Sequence, residues 1–120
     1  MIGYQEKCLK QIEKAITSHN SHLTQRKLEM VTAFDYANTG YFYAQPDNSF
    51  EPILEGRFDF QRDRATIKMS SGRSYPAQDF YFEYKDSHGK FNELEKWILQ
   101  VIRGWVQGEM RRLGQKPINS

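Results

Sequence analysis

Two histidines three residues apart, His19 and His22, are the first side chains whose type and spacing could hold a metal ion. Imidazole nitrogens are common zinc ligands, but a zinc site needs at least a third protein ligand. His88 is the one further histidine, and nothing in the sequence places it beside the pair. We therefore expect solvated histidines at the end of a helix and no metal site.

No motif in the chain indicates catalysis. Glu51 with Glu55 and Glu93 with Glu95 are close in sequence, but acid–base work needs two carboxyls whose environments separate their pKa values. The single cysteine, Cys8, falls at an apolar helical position, where a buried thiol is commoner than a nucleophile. The sequence contains no glycine-rich nucleotide loop and no Gly-x-Ser-x-Gly motif. We leave an enzyme open, lean towards a non-catalytic protein and expect no cofactor.

A cluster of basic residues between positions 57 and 76 is a candidate binding site. The cluster consists of Arg57, Arg62, Arg64, Lys68 and Arg73. In a hairpin that turns at Arg62-Asp63, Arg57 lies opposite Lys68, and like charges so placed repel each other. This position therefore needs either a neighbouring acid or a bound anion.

Tyr81, on the next predicted strand, shares the outward face with this basic hairpin. Phosphate contacts beside an exposed aromatic ring are typical of single-stranded nucleic-acid binding. A mixed-charge face with internal ion pairs is the alternative explanation of the same residues. Both interpretations stay open.

The last predicted helix carries a Gly-x-x-x-Gly pair, Gly104 and Gly108, beside apolar residues that could anchor an interface. These are Trp97, Val101 and Trp105. Each glycine costs about 1 kcal/mol in a helix interior, so the pair calls for an explanation. One hypothesis is close contact with the first helix of the same chain. The other is a homodimer seam in which the tryptophans are the anchors.

Length and charge limit the class of protein. A chain of 120 residues predicts a single domain over residues 1–120, in which residues 114–120 are a candidate disordered tail. The formal net charge of +2 is too small to indicate a nucleic-acid or membrane partner, yet residues 28–56 contain five acids and no base. The absence of a long apolar run and the single cysteine predict a cytoplasmic protein with no membrane partner.

Hydrophobic periodicity supplies the elements that position these residues. Apolar residues at helical spacing predict a helix over Tyr4–Thr17 and a second helix that begins at Asn92, with Glu95 completing a capping box. Alternating patterns predict strands at residues 28–34, 41–45, 54–61, 65–69 and 80–84. The central pattern pairs Phe60 with Ala65, and therefore Phe58 with Ile67.

The predicted fold is α+β: an N-terminal helix, a four- or five-stranded antiparallel meander sheet and a C-terminal helix, with both helices packed on one sheet face. Whether the first strand joins the main sheet or forms a separate hairpin is left open. The favoured function is a small protein-interaction or adaptor module that binds a protein partner or itself as a homodimer. Nucleic-acid binding through the basic hairpin is the alternative.

Overall fold

The computed structural model describes residues 2–23, 26–36, 38–72, 76–83 and 87–114. The elements are α1 (Ile2–Ile16), a 3-10 turn (Asn20–His22), β1 (Leu28–Tyr36), β2 (Thr39–Pro46), β3 (Leu54–Phe60), β4 (Arg64–Ser70), β5 (Gln78–Glu83) and α2 (Ser87–Arg112). The strands form one antiparallel sheet in the order β1-β2-β3-β4-β5, and both helices pack on it. The predicted fold class is therefore confirmed, and the first hairpin belongs to the main sheet.

The central hairpin has the predicted register, with Phe60 opposite Ala65. Its two-residue turn is closed by the backbone N–H of Gln61, which donates to the carbonyl oxygen of Arg64 at 2.7 Å. Among the described residues, Asn48 is the one non-glycine residue with a positive φ. The turn Arg62-Asp63 is thus formed at negative φ, which explains why it does not need the Asn-Gly sequence typical of two-residue hairpins.

The middle of the sheet depends on Gly56, which leaves room for the ring of Phe42 on the neighbouring strand. A Cβ placed on Gly56 would overlap the Phe42 ring and come within 2.8 Å of the Met69 sulfur. Phe42 and Met69 are fully buried, and they flank Gly56 on β2 and β4 in one cross-strand row. Because both neighbours are enclosed by the core, neither has space to move aside.

The two helices close the core over one face of the sheet. α1 buries Cys8, Ile12 and Ile16, since these residues recur at the spacing of one helical face. The buried stripe of α2 consists of Leu94, Trp97, Ile98, Val101, Ile102, Val106 and Met110. The sheet contributes Phe58, Phe60, Ile67 and others of its inward residues to the same cluster.

α2 begins at Ser87, and the predicted start with Asn92 as N-cap is wrong. Phe91 is partly buried against the core, so the apolar stripe continues one turn upstream of the predicted start. Packing of that turn outweighs the local capping preference of Asn92, which lies exposed inside the helix. Within the described part of the chain, no helix is both long and apolar enough to cross a membrane.

The start of β1 is held from two sides. The Asn20 side chain donates to the carbonyl oxygen of Leu28 and accepts its backbone N–H, both at 2.9 Å. Arg26 contacts the buried carboxylate of Glu109 at 3.3 Å, and Arg112 contacts the same carboxylate at 2.9 Å. The segment before β1 is thereby joined to the end of α2.

Gly56→Ala should destabilise the protein by about 2 kcal/mol or more, because the added methyl group overpacks a region that cannot relax. The matched control is Gly104→Ala on the solvent side of α2, where nothing lies within 4 Å of the added carbon. That substitution should stabilise the protein by up to about 1 kcal/mol. Urea unfolding of both variants measures the two effects, and equal effects at the two sites would contradict this account of Gly56.

Candidate binding surfaces

The outward sheet face, opposite the helices, carries most of the predicted basic site. One cross-strand row of this face runs through Tyr41, Arg57, Lys68 and Asp79 on four successive strands. The predicted juxtaposition of Arg57 and Lys68 is therefore real. The Arg57 guanidinium lies 5.8 Å from the centre of the Tyr41 ring, and Lys68 has Asp79 opposite on its other side. The like charges are each flanked by a favourable neighbour.

Arg64 and Tyr81 interact at the end of the same face. The Arg64 Nη1 donates to the Tyr81 hydroxyl at 3.0 Å, and its Nε lies 3.6 Å from Asp63. The hydrogen bond to Tyr81 raises the pKa of the Arg64 guanidinium above its ordinary value, and the charges of Asp63 and Glu83 act in the same direction. Arg62 is exposed at the hairpin turn, while Arg73 lies outside the described residues.

The charges of the outward face do not add up to a basic surface. The paired positions carry three cations, Arg57, Arg64 and Lys68, and five carboxylates, Glu29, Glu55, Asp59, Asp79 and Glu83. The structure thus brings acids of three strands among the predicted basic residues. Such a face would repel a phosphate backbone as much as attract it.

Tyr41 and Tyr43 stack on this face, with ring centres 6.3 Å apart and planes 13° from parallel. The sequence did not predict this stack. Their spacing of two residues on one strand was the available signal, since alternate residues of a strand share a face. The Arg57 guanidinium over Tyr41 extends this aromatic cluster towards β3.

The tryptophans of the last helix pack within their own chain and are not exposed as anchors of the predicted dimer seam. Trp97 and Val101 are each 5% exposed and belong to the core of their own chain, while Trp105 is partly buried beneath Arg26. Gly104 and Gly108 are exposed, and nothing lies within 4 Å of a carbon added to either. The hypothesis of close contact within the chain is therefore wrong. The homodimer seam stays a prediction, with the two glycines as its exposed part.

Among the described residues, the candidate reactive groups Cys8, His19 and His22 do not form a metal or nucleophilic site. Burial raises the pKa of the Cys8 thiol to about 12, so the thiol is protonated and unreactive at neutral pH. The rings of His19 and His22 lie with their centres 5.7 Å apart. Within the described residues, no three His, Cys, Asp or Glu side chains are grouped so as to hold a metal ion.

An apolar corner of the sheet is left uncovered, and sequence analysis did not find it. Phe34 lies on the helix-facing side of β1, in register with Gly40, yet 53% of it is exposed. Thr32 beside it is exposed as well, and Tyr36, which follows the register shift and lies opposite the outward-facing Thr39, is 81% exposed at the end of β1. We call Thr32, Phe34 and Tyr36 the β1 corner.

The path of α1 explains why this corner is open. The helix begins above β3, where Tyr4 contacts Phe60 edge-on at a centroid distance of 6.4 Å. Beyond its end, Asn20 is bonded to Leu28 at the start of β1. α1 therefore crosses the sheet diagonally and covers only the beginning of β1. The sequence pattern places Phe34 on the core side correctly, but it cannot show that no helix lies above it.

His19 gives the protein a pH-dependent stability. Burial lowers the pKa of its imidazole below 6.5, and the charges of His22 and Arg103 add to this effect; Lys96 lines the same surface depression. Because the unfolded state binds this proton more tightly, the free energy of unfolding should fall as the pH drops through about 6.5. His19→Gln should make the dependence between about pH 8 and pH 5 shallower, as measured by urea unfolding. An unchanged slope in the variant would contradict this assignment.

We compared the chain with protein-family models, curated proteins and solved structures, and none of these comparisons gives a significant match. The function is therefore argued from the residues and their geometry. Two surfaces stand out for that purpose: the outward face, where the charged side chains have neighbours of opposite sign or aromatic rings, and the β1 corner, where an aromatic side chain is left without cover.

Proposed function

We propose that this chain is a non-catalytic protein-interaction module whose binding surface is the β1 corner. The observation that carries the proposal is the exposure of Phe34 on the side of the sheet that otherwise forms the core. Water contact with a half-exposed phenylalanine ring is unfavourable, and a partner that covers it gains about 25 cal/mol for each Å² of apolar surface buried. Exposed apolar patches of this kind commonly mark interaction sites.

The Phe34 ring is also held in a defined position. It contacts the ring of Phe58 edge-on, with centres 5.5 Å apart and planes at 71°. Phe58 is itself 97% buried and stacks against Phe42 in the middle of the sheet. A side chain fixed in this way loses little conformational entropy when a partner covers it, which favours its use as an anchor.

The outward face supports the nucleic-acid alternative less well. Its aromatic rings and cations resemble a single-strand binding surface in composition, but carboxylates outnumber cations among its paired positions. Affinity for nucleic acid comes mainly from neutralised phosphates. We therefore favour a protein partner, which makes contact through an apolar surface.

The first test is a selection of displayed random peptides against the wild-type protein. Selected binders should bind Phe34→Glu at least about tenfold more weakly, as expected for the loss of an interface anchor. Phe50→Glu is the matched control, because Phe50 is 96% exposed in the loop at the other end of β2. If no binder is selected, or if the selected peptides bind Phe34→Glu as tightly as the wild-type protein, the β1 corner is not the binding surface.

The second test is fluorescence anisotropy with labelled single- and double-stranded oligonucleotides at low salt. We expect no micromolar binding, because acids lie among the cations of the outward face. Tight binding with a steep salt dependence that is lost in the Arg62→Glu, Arg64→Glu double variant would instead establish the basic hairpin as a nucleic-acid site.

A further inference from the structure

We propose that the β1 corner binds its partner by strand addition, and that the partner segment is an extended peptide in which basic and apolar residues alternate. This inference rests on the proposed function and specifies its binding mode and ligand. The juxtaposition that carries it is an edge of β1 with which no described strand pairs, beside the exposed Phe34 and within residues 28–56, which have acids and no bases.

The hydrogen bonds at the start of β1 show which main-chain groups face outwards. The carbonyl oxygen of Lys27 accepts the N–H of Asp47 at 2.9 Å, so Lys27 faces the β2 side. Both main-chain groups of Leu28 bond the Asn20 side chain instead. Since the main-chain groups of successive strand residues point to opposite sides, those of Met30, Thr32 and Phe34 point away from β2.

The Asn20 side chain thus bonds both the N–H and the carbonyl oxygen of Leu28. An added strand would make the same pair of bonds with Met30, Thr32 and Phe34. The register of β1 with β2 is regular from Leu28 to Phe34, and the irregularity falls between Phe34 and Tyr36. The alternation therefore holds over the segment where Met30, Thr32 and Phe34 lie. A partner strand would therefore pair with β1 from Met30 onwards, beyond the bonds that Asn20 makes with Leu28.

β1 lacks the features that normally keep an edge strand from pairing. It spans nine residues and contains no lysine, arginine or proline, whereas the opposite edge strand, β5, spans only six. Short edges, lysine and proline are the usual protections. β1 has instead the exposed acids Glu29 and Asp35 and the irregularity near its end, and these leave the main-chain groups of residues 30–34 available.

The charge around β1 selects a basic partner. Residues 28–56, which contain β1, β2 and the loop after them, have five acids and no base. Glu29 and Asp35 lie exposed on β1 itself. Glu29 points to the outward face, whereas Met30 and Phe34 point to the helix side. An added strand therefore meets the Glu29 carboxylate on its outward side and the apolar Met30 and Phe34 on its inward side, so a partner that alternates basic and apolar residues fits this edge.

The flank of α1 that faces away from α2 also presents an acidic and an apolar side chain. Lys7 and Gln11 line the groove between α1 and α2. At 100° per residue, Leu9 and Glu13 project from the opposite flank of α1, away from α2. Leu9 is partly buried and Glu13 is exposed. This flank adds one apolar and one acidic side chain near the start of β1.

A second copy of this chain fits the edge less well. An antiparallel pairing of β1 with β1 that is centred on Thr32 uses the whole strand. It also places Glu29 of each copy opposite Asp35 of the other, and like charges directly opposite are destabilising. A basic segment removes this repulsion and gains a favourable pair with Glu29.

The experiment uses three labelled peptides whose length matches residues 28–34. The first alternates lysine and valine, the second alternates glutamate and valine, and the third is the lysine peptide with alternate amides N-methylated on the edge that would pair. Fluorescence anisotropy at low salt should show binding of the lysine peptide, and at least about tenfold weaker binding of the other two. Equal binding of the glutamate peptide would overturn the charge assignment. Equal binding of the methylated peptide would overturn strand addition.

Charge reversal on the protein gives an independent readout. Glu29→Lys should weaken binding of the lysine peptide by about threefold or more and strengthen binding of the glutamate peptide. Glu93→Lys makes the same change of charge at an exposed position on α2, away from the edge. It should change the binding of neither the lysine peptide nor the glutamate peptide. Equal effects of the two variants would show a general charge effect and overturn the site.

Hydrogen exchange followed by NMR tests the edge residue by residue. In the free protein the amides of Met30, Thr32 and Phe34 should exchange fast, and those of Glu29, Val31 and Ala33 slowly, because only the latter are bonded to β2. The lysine peptide should protect the first set. Absence of that protection would overturn the inference.

The proposed function and this inference fail in different ways. If displayed peptides that depend on Phe34 are selected but none is basic, the β1 corner remains the binding surface and the inference is overturned. If sedimentation shows a dimer that protects the same three amides, the occupant is a second copy and the inference is again overturned. If nothing binds at Phe34, the proposed function itself fails.

Discussion

The ring of Phe42 lying against the backbone of Gly56 is the contact on which the rest of this fold depends. It fills the middle of the sheet, where Met69 closes it from the next strand. A side chain at position 56 would overlap the Phe42 ring and the Met69 sulfur, both of which are fully buried. The contact also fixes register, because a slip of one residue would place Glu55 or Arg57 beneath the ring.

Register in turn decides where the charged residues meet. With Gly56 facing Phe42, the neighbouring residues Glu55 and Arg57 must face outwards. The outward face therefore combines acids and bases from β1, β3, β4 and β5, and two of its arginines contact tyrosines. What looks in the sequence like a basic cluster becomes a mixed surface, because the outward residues of β3 itself and of β1 and β5 contribute carboxylates.

The same geometry leaves β1 as the exposed part of the molecule. α2 follows the β5 side, and α1 crosses from β3 to the start of β1, so among the described elements no helix lies above the later residues of β1 and no strand pairs with their edge away from β2. Asn20 occupies the first pair of free main-chain groups at this edge. Phe34 is held against Phe58 although no helix covers it. An anchored aromatic ring beside an unpaired strand edge is a reasonable arrangement for recognising an extended segment.

The sequence by itself determined the elements and the register, because hydrophobic alternation and helical spacing are local properties of the chain. Phe58 opposite Ile67, the apolar face of α2 and the burial of Cys8 were all predictable in this way. Tertiary structure alone decided the start of α2, where packing of Phe91 outweighed the capping preference of Asn92. It also decided that Gly104 faces solvent and that Phe34 is uncovered. A periodic pattern shows which side of an element is apolar, but whether another element covers that side depends on where distant parts of the chain cross it.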